Sequence, residues 1–320
     1  MTKHVVVGYV KGIDPASITI IAEFFPGDQS FHYASPNAGA YFTPFVDKIK
    51  FCRYTYESYD SLRKFIGEEL TGIEKTHTIE HFAETIDQSE VQDILNFIPD
   101  ITISQLPSPG CSTKASYTGI TFNPPLLTSN LLEAFRKMGV NTVVKRLSKL
   151  DEAFLKGTTA VFNCSGLGAA ELVGDKKIFP TRGQVVVICD PRIQSVVTEW
   201  KQESSTYIIP RPHSKAHEVI LGGFYQHHVA TPHTLISETQ DIIDRTSRLC
   251  PELLHHKSID DLQLLRVVAA VRPSREGGAR IEKEITPRGS IFHNYGAGGS
   301  GYLNGLGMAK HCVELYLSDT

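Results

Sequence analysis

No run in this chain approaches the roughly 20 apolar residues of a membrane span, so no transmembrane helix is expected. The opening Met1-Thr2-Lys3-His4 lacks an apolar core of the secretory kind. Charge imbalance is also scarce. Thirty-two basic against 35 acidic side chains leave −3 and a pI of about 6.5, which removes the electrostatic case for nucleic acid or an anionic membrane surface. The six cysteines (Cys52, Cys111, Cys164, Cys189, Cys250 and Cys312) include no Cys-x-x-Cys pair. That excludes an obvious zinc site and favours reduced thiols in an intracellular protein over a disulfide framework. There is no internal repeat and no low-complexity linker. Leu317-Ser318-Asp319-Thr320 is not a Ser-Lys-Leu type of peroxisomal address. The sequon Asn163-Cys164-Ser165 follows an apolar strand in a chain read as unsecreted and is discounted.

What is present is ample core: 320 residues at 41% hydrophobic, enough for two domains. Short apolar runs predict strands over His4–Gly8, Ile18–Ala22, Asn141–Val144, Ala160–Asn163, Val185–Ile188, Tyr207–Ile209 and Val219–Leu221. Those at 141–144 and 160–163 read as buried. Helices are expected over Arg53–Leu70, Asn130–Met138 and Glu238–Leu249, while residues 71–125 read as short amphipathic pieces. Strands alternating with helices at both ends, around a strand-rich middle, suggest an α/β nucleotide-binding domain interrupted by a second domain. The expected division assigns 1–48, 126–184 and 264–320 to the first, and 49–125 and 185–263 to the second.

The densest signal is Ile291-Phe-His293-Asn294-Tyr295-Gly296-Ala-Gly298-Gly299-Ser-Gly301, continuing into Tyr302-Leu303-Asn304-Gly305-Leu-Gly307-Met-Ala309. It reads as a buried strand, a turn almost without side chains, and a helix packed closely on its neighbours. Such a turn leaves backbone N–H groups free for an acceptor-rich ligand. Upstream, Tyr207-Ile-Ile-Pro-Arg-Pro212 leads through a hairpin to Leu221-Gly-Gly-Phe-Tyr225, so two phenols on neighbouring strands can serve one anion. Val271-Arg272-Pro-Ser-Arg275-Glu-Gly-Gly-Ala-Arg280 places a guanidinium at a strand end, where it can grip a carboxylate through two parallel bonds. Asn163-Cys-Ser165-Gly166-Leu-Gly168 and Pro180-Thr-Arg-Gly-Gln184 complete the set. Taken singly, each tyrosine or arginine is better explained by packing or by a surface ion pair.

In this order, these segments resemble the FAD-dependent D-amino-acid oxidase family, including the D-aspartate oxidases, and are closest to its fungal members. The resemblance implies a Rossmann-like FAD domain interleaved with an α+β substrate domain on a mostly antiparallel sheet. It also implies oxidative deamination of D-amino acids to 2-oxo acids, ammonia and hydrogen peroxide by hydride transfer to FAD. Arg272 would pair with the substrate carboxylate, and Tyr207 and Tyr225 would donate to it. Ser165, Gly166, Gly298, Gly299, Gly301, Tyr302 and Leu303 would line the flavin. Ser35, Gly39 and Ala40 join them from Ala34-Ser-Pro-Asn-Ala-Gly-Ala40, and Glu23 would accept from the adenosine ribose. Leu303 stands where relatives carry a polar residue near the substrate amine. Arg211, His213 and Arg275 are candidates for a side-chain carboxylate. The family points to D-amino acid and oxygen as partners, a homodimer as the assembly, and the peroxisome or cytoplasm as the location.

One part of the family pattern is missing. Only Tyr9 to Ser17 separate the first two expected strands, nine residues where a crossover with its helix takes at least about 10–12. Gly8 and Gly12 do not make the phosphate turn, so the unit is expected to be incomplete and FAD binding weakened. Two alternatives follow: a cofactor-deficient, inactive relative, and a zinc peptidase using His77, Glu80 and His81 on one helix face.

Overall fold

The computed structural model describes residues 14–45, 49–67, 71–108, 111–201, 204–251 and 262–318. The expected strand over His4–Gly8, and Gly8 and Gly12 themselves, lie outside these residues. A single turn, Pro15–Ser17, is capped by the Asp14 carboxylate on the Ala16 N–H (3.0 Å) and leads into β1 (Thr19–Ala22). The chain continues through α1 (Ile49–Glu57), α2 (Tyr59–Ile66), β2 (Ile73–Phe82), α3 (Gln88–Leu95), β3 (Thr102–Ser108) and β4 (Cys111–Phe122). Next come α4 (Pro124–Lys137), β5 (Asn141–Val144), β6 (Ala160–Asn163), the short α5 (Ala169–Leu172), β7 (Ile178–Cys189), β8 (Val196–Lys201), β9 (Ser204–Pro210), β10 (Glu218–Gly222) and β11 (Gln226–His227). The chain ends with α6 (Ile236–Leu249), β12 (Leu264–Arg275), β13 (Arg280–Thr286), β14 (Gly289–Tyr295) and α7 (Gly301–Leu317).

Among the described residues the strands form three sheets. The largest runs β7–β10–β9–β8–β2–β4–β3, with β11 and β12 also on β7, and every pairing in it is antiparallel except β2 with β8. The two small sheets carry the parallel pairings, β1 with β5 and β6 with β14, and β13 is antiparallel to β14. This is the expected mixture of Rossmann-like pieces and a mostly antiparallel sheet. β7 runs unbroken through residues 184 and 185, and β12 pairs with it from Leu264 to Arg275. The large sheet therefore takes residues from both halves of the expected division.

Four expectations need correction. Residues 71–125 are not short amphipathic pieces but contain the long strands β2 and β4. β5 is exposed rather than buried, with Val144 75% exposed. The helix expected over Arg53–Leu70 is two helices. α4 begins earlier than expected because Asn123 accepts from the Leu126 N–H (3.4 Å) and prolines occupy the first turn, where no N–H is missed. The main core joins α1–α3 to the inner face of β2 and β4 through Phe42, Ile73, Ile94, Ile98, Ile120 and Phe122, each worth about 1.5–3 kcal/mol when fully buried. Gly307 lets α7 close on α1, since a Cβ there would lie 2.5 Å from Phe51 Cα; Gly305 has open space.

Candidate active site

Alternation along β7 builds one wall. Successive strand side chains point to opposite faces. Arg182 and Gln184 therefore turn towards α6. The buried Arg182 pairs with Glu238 at 2.8 Å, and Gln184 donates to the Leu235 carbonyl at 2.9 Å. Gly183, between them, faces the other way. A Cβ on it would lie 2.3 Å from Arg272 Nη1, so this glycine makes the space in which the Arg272 guanidinium rests. β12 delivers Arg272 opposite Thr181. Its Nη1 donates to the Phe224 carbonyl at 2.9 Å, and its guanidinium carbon sits 4.5 Å from the Tyr225 ring centroid, a cation–π contact. Among the described residues no carboxylate pairs with Arg272.

Tyr207 on β9 is opposite Gly222 of β10. Cβ atoms on Gly222 and Gly223 would lie 2.2 and 2.3 Å from the Tyr207 side chain, so these two glycines define where the phenol lies. Burial pushes the phenol up to about 12, against the pull of the Arg272 guanidinium. It stays a protonated donor at neutral pH. Tyr207 is 8% exposed and Tyr225 41%.

The Tyr295 strand end turns at Gly296 (φ 84°) and Gly298 (φ 57°), left-handed positions that suit glycine, before α7 starts. A Cβ on Gly296 would meet Arg275 Cβ at 2.8 Å. Asp175 ties this corner together, accepting from Arg275 Nε at 2.9 Å and Tyr295 Oη at 2.8 Å. Burial raises the Asp175 carboxyl, but bonds from Arg275, the Lys177 N–H and Tyr295 outweigh it and bring it down to about 2.

These elements enclose one cavity of 680 Å³. Tyr207, Tyr225 and Arg272 line it together with Ser35, Gly39, Ala40, Gly298, Gly299, Gly301, Tyr302 and Leu303. Leu303 is also buried within the main core, so it brings no polar group to the site. Glu23, Ser165 and Gly166 do not line this cavity. Ser165 borders a second cavity of 360 Å³, between β1 and β6 and beside α7. Two of the three carry buried oxygens with no hydrogen-bond partner, Ser165 Oγ and Glu23 Oε2, and Arg146 lies 3.8 Å from the other Glu23 oxygen. A glycine-floored cavity large enough for a tricyclic ring, with orphaned acceptors at Glu23 and Ser165, fits a flavin dinucleotide.

The side-chain candidates fare differently. Arg211 is spent on Glu218 (2.9 Å) and on the Pro36 and Ala38 carbonyls (2.8 and 2.9 Å), Arg275 on Asp175, and His213 on Glu74 (3.1 Å). None of the three lines the cavity. His213 is therefore a partly buried link to β2. His227 and His228 both pack against the Phe179 ring, and His228 has a positive φ of 61°. The zinc reading fails on secondary structure. His77 and His81 lie on a strand, where four residues span about 13 Å, and Glu80 points into the core while His77 is exposed. Gly183 lies in the segment 180–184 noted in the sequence, though its role in seating Arg272 shows only in the structure; the group of Tyr41, Thr43 and Trp200 around Glu80 was not anticipated, because scattered polar residues carry no local signal of a site.

The family described as DAO, FAD dependent oxidoreductase, matches residues 14–315. A D-amino-acid oxidase of Schizosaccharomyces pombe is 33% identical, over 94% of this chain and 88% of its own length. A D-aspartate oxidase of Cryptococcus neoformans var. grubii is 28% identical, over 98% and 92%. The crystal structure of a glycine oxidase from Bacillus cereus superposes with a TM-score of 0.70 at 13% identity, covering 90% of this chain and 87% of that one, a likeness of fold.

Proposed function

The chain belongs to the DAO family of FAD-dependent oxidoreductases, and from that premise we propose that it deaminates D-amino acids oxidatively to 2-oxo acids, ammonia and hydrogen peroxide. The observation that carries the reading is the meeting of Arg272, Tyr207 and Tyr225 in one cavity with the glycines at 298–301. Ser35, Gly39, Ala40, Gly298, Gly299, Gly301, Tyr302 and Leu303 would hold the flavin ring end, and Glu23, Ser165 and Gly166 the remainder. When bound, FAD supplies the acceptor for the substrate hydride and passes the electrons to oxygen.

The chain's own residues supply binding and orientation. Arg272, paired with no carboxylate among the described residues, takes the substrate carboxylate through charge-assisted bonds, and the protonated Tyr207 hydroxyl adds a neutral donor. With that end held, the cavity wall that takes the side chain and the glycine turn that faces the α-hydrogen would supply the two further points needed to choose one enantiomer. The first turn of α7 lines the cavity without a side-chain cap, and its N–H groups and the positive end of the dipole would favour negative charge there. The imino acid formed hydrolyses in water. We further assign a homodimer and a peroxisomal or cytoplasmic location by family; among the described residues no helix is long and apolar enough to cross a membrane.

Oxygen uptake on D- against L-amino acids by the FAD-loaded protein tests the reading. Turnover of D-enantiomers with stoichiometric peroxide is expected, and no turnover of any D-amino acid refutes it. Arg272→Ala is expected to raise KM at least a hundredfold, since a bidentate charged contact is lost; wild-type kinetics in that variant would remove Arg272 from the site.

A further inference from the structure

Glu80 is 0% exposed, and five donors converge on it. Tyr41 Oη (2.9 Å), Trp200 Nε1 (3.1 Å) and Thr198 Oγ1 (3.5 Å) reach Oε1, while Thr43 Oγ1 and Tyr117 Oη (both 2.9 Å) reach Oε2. Among the described residues no cation pairs with it. Burial pushes its carboxyl up, and the bonds from Trp200, Tyr117, Thr43 and Tyr41 pull it back.

Three of the donors, Tyr41, Thr43 and Trp200, also line the cavity that holds Arg272. Their polar hydrogens are spent on Glu80. What they offer the cavity is ring and methyl surface, joined there by Phe45, Val185 and Ile209. Arg272 is the only cation among the described residues lining the cavity, and it serves the α-carboxylate. A second carboxylate on the substrate would find no free donor from these residues.

We propose that Glu80 sets the substrate class: by drawing the donors of Tyr41, Thr43 and Trp200 out of the cavity it leaves an apolar side-chain pocket, which selects neutral, apolar D-amino acids over dicarboxylic ones. This selection rests on the oxidase reading above. Glu80 is a positioning residue, acting through the wall it holds. In Glu80→Gln the amide nitrogen cannot accept, so donors on one side of the carboxyl are released towards the cavity.

D-leucine, D-asparagine and D-aspartate share one branched shape and differ in polarity, so their ratios isolate the effect. In the wild-type holoenzyme kcat/KM for D-leucine is expected to exceed that for D-aspartate at least a hundredfold, with D-asparagine between. In Glu80→Gln the D-leucine to D-aspartate ratio falls at least tenfold, mainly through KM for D-aspartate. D-aspartate within threefold of D-leucine in the wild type overturns the proposal, whether or not the variant folds; so does an unchanged ratio in a folded Glu80→Gln.

Binding separates this from failure of the oxidase reading. Trp200 is the sole tryptophan of the chain, so its fluorescence reports on this wall. Titrated with the unreactive 4-methylpentanoate and succinate, the wild type is expected to bind the first at least tenfold more tightly, and Glu80→Gln to narrow the gap to threefold or less. That preference without turnover of any D-amino acid leaves the pocket assignment standing and the reaction refuted. Turnover with equal binding of the two acids does the reverse.

Discussion

A methyl group at Gly183 would lie 2.3 Å from the end of a flexible arginine side chain, not from backbone. Gly183→Ala is therefore expected to fold with little loss of stability while displacing the Arg272 guanidinium and raising KM for D-amino acids at least tenfold; steady-state kinetics beside a melting curve checks both halves. Gly222 and Gly223 are the opposite case, because the group they would strike is the ring of the buried Tyr207. Asp175 carries a pH signature. Its folded pKa of about 2 lies below the usual 3.9 of an unfolded chain. Its contribution is full above about pH 4 and is lost as pH falls towards 2. Asp175→Asn is expected to cost about 2 kcal/mol at pH 7 and to flatten the fall in stability between pH 4 and 2, read by denaturant unfolding across that range. That Arg272, Tyr207 and Tyr225 meet in one cavity was legible because a hairpin carrying two phenols and a later strand end carrying a guanidinium follow one another in the order of the family's motifs. Glu80 was not, because its donors come from three separate stretches, 41–43, 117 and 198–200, and its nearest motif, His77 to His81, pointed to a metal.

Helix α7 and helix α1 meet at Gly307, where a Cβ would press on Phe51 Cα and its carbonyl oxygen at 2.5 Å. Backbone cannot yield as a side-chain tip does, so Gly307→Ala is expected to destabilise by about 1–3 kcal/mol and to lower the melting temperature by several degrees, visible by calorimetry. The same helix shows why some elements could be read in advance. A glycine-rich turn between an apolar strand and an apolar helix is a strong local signal, and β14, the turn and α7 follow it. β2 escaped because its inward positions include Thr76, Thr78 and Glu80. Their hydrogen bonds satisfy them inside, whereas hydropathy counts them as exposed. β5 erred the other way: Val143 and Val144 are apolar but stand in the open at 39% and 75%.

At the scale of the whole molecule, the cofactor couples site to stability. A ligand that binds only the folded chain stabilises it by about 2.7 kcal/mol at a hundred times its dissociation constant. Added FAD is thus expected to raise the melting temperature in a concentration-dependent way, with Glu23→Ala shifting that dependence to higher FAD; a thermal scan over an FAD series measures it. The sheet pairing has a mechanical consequence. β7 and β12 pair without a register shift from Arg266 to Arg275, tying the floor beneath the glycine corner to one end of the large sheet. Along that stretch the ladder offers no break at which this wall of the cavity could bend. Traffic of reactant and product is left to side chains at the rim, and Tyr225, 41% exposed and resting on Arg272, is placed to act as the turnstile.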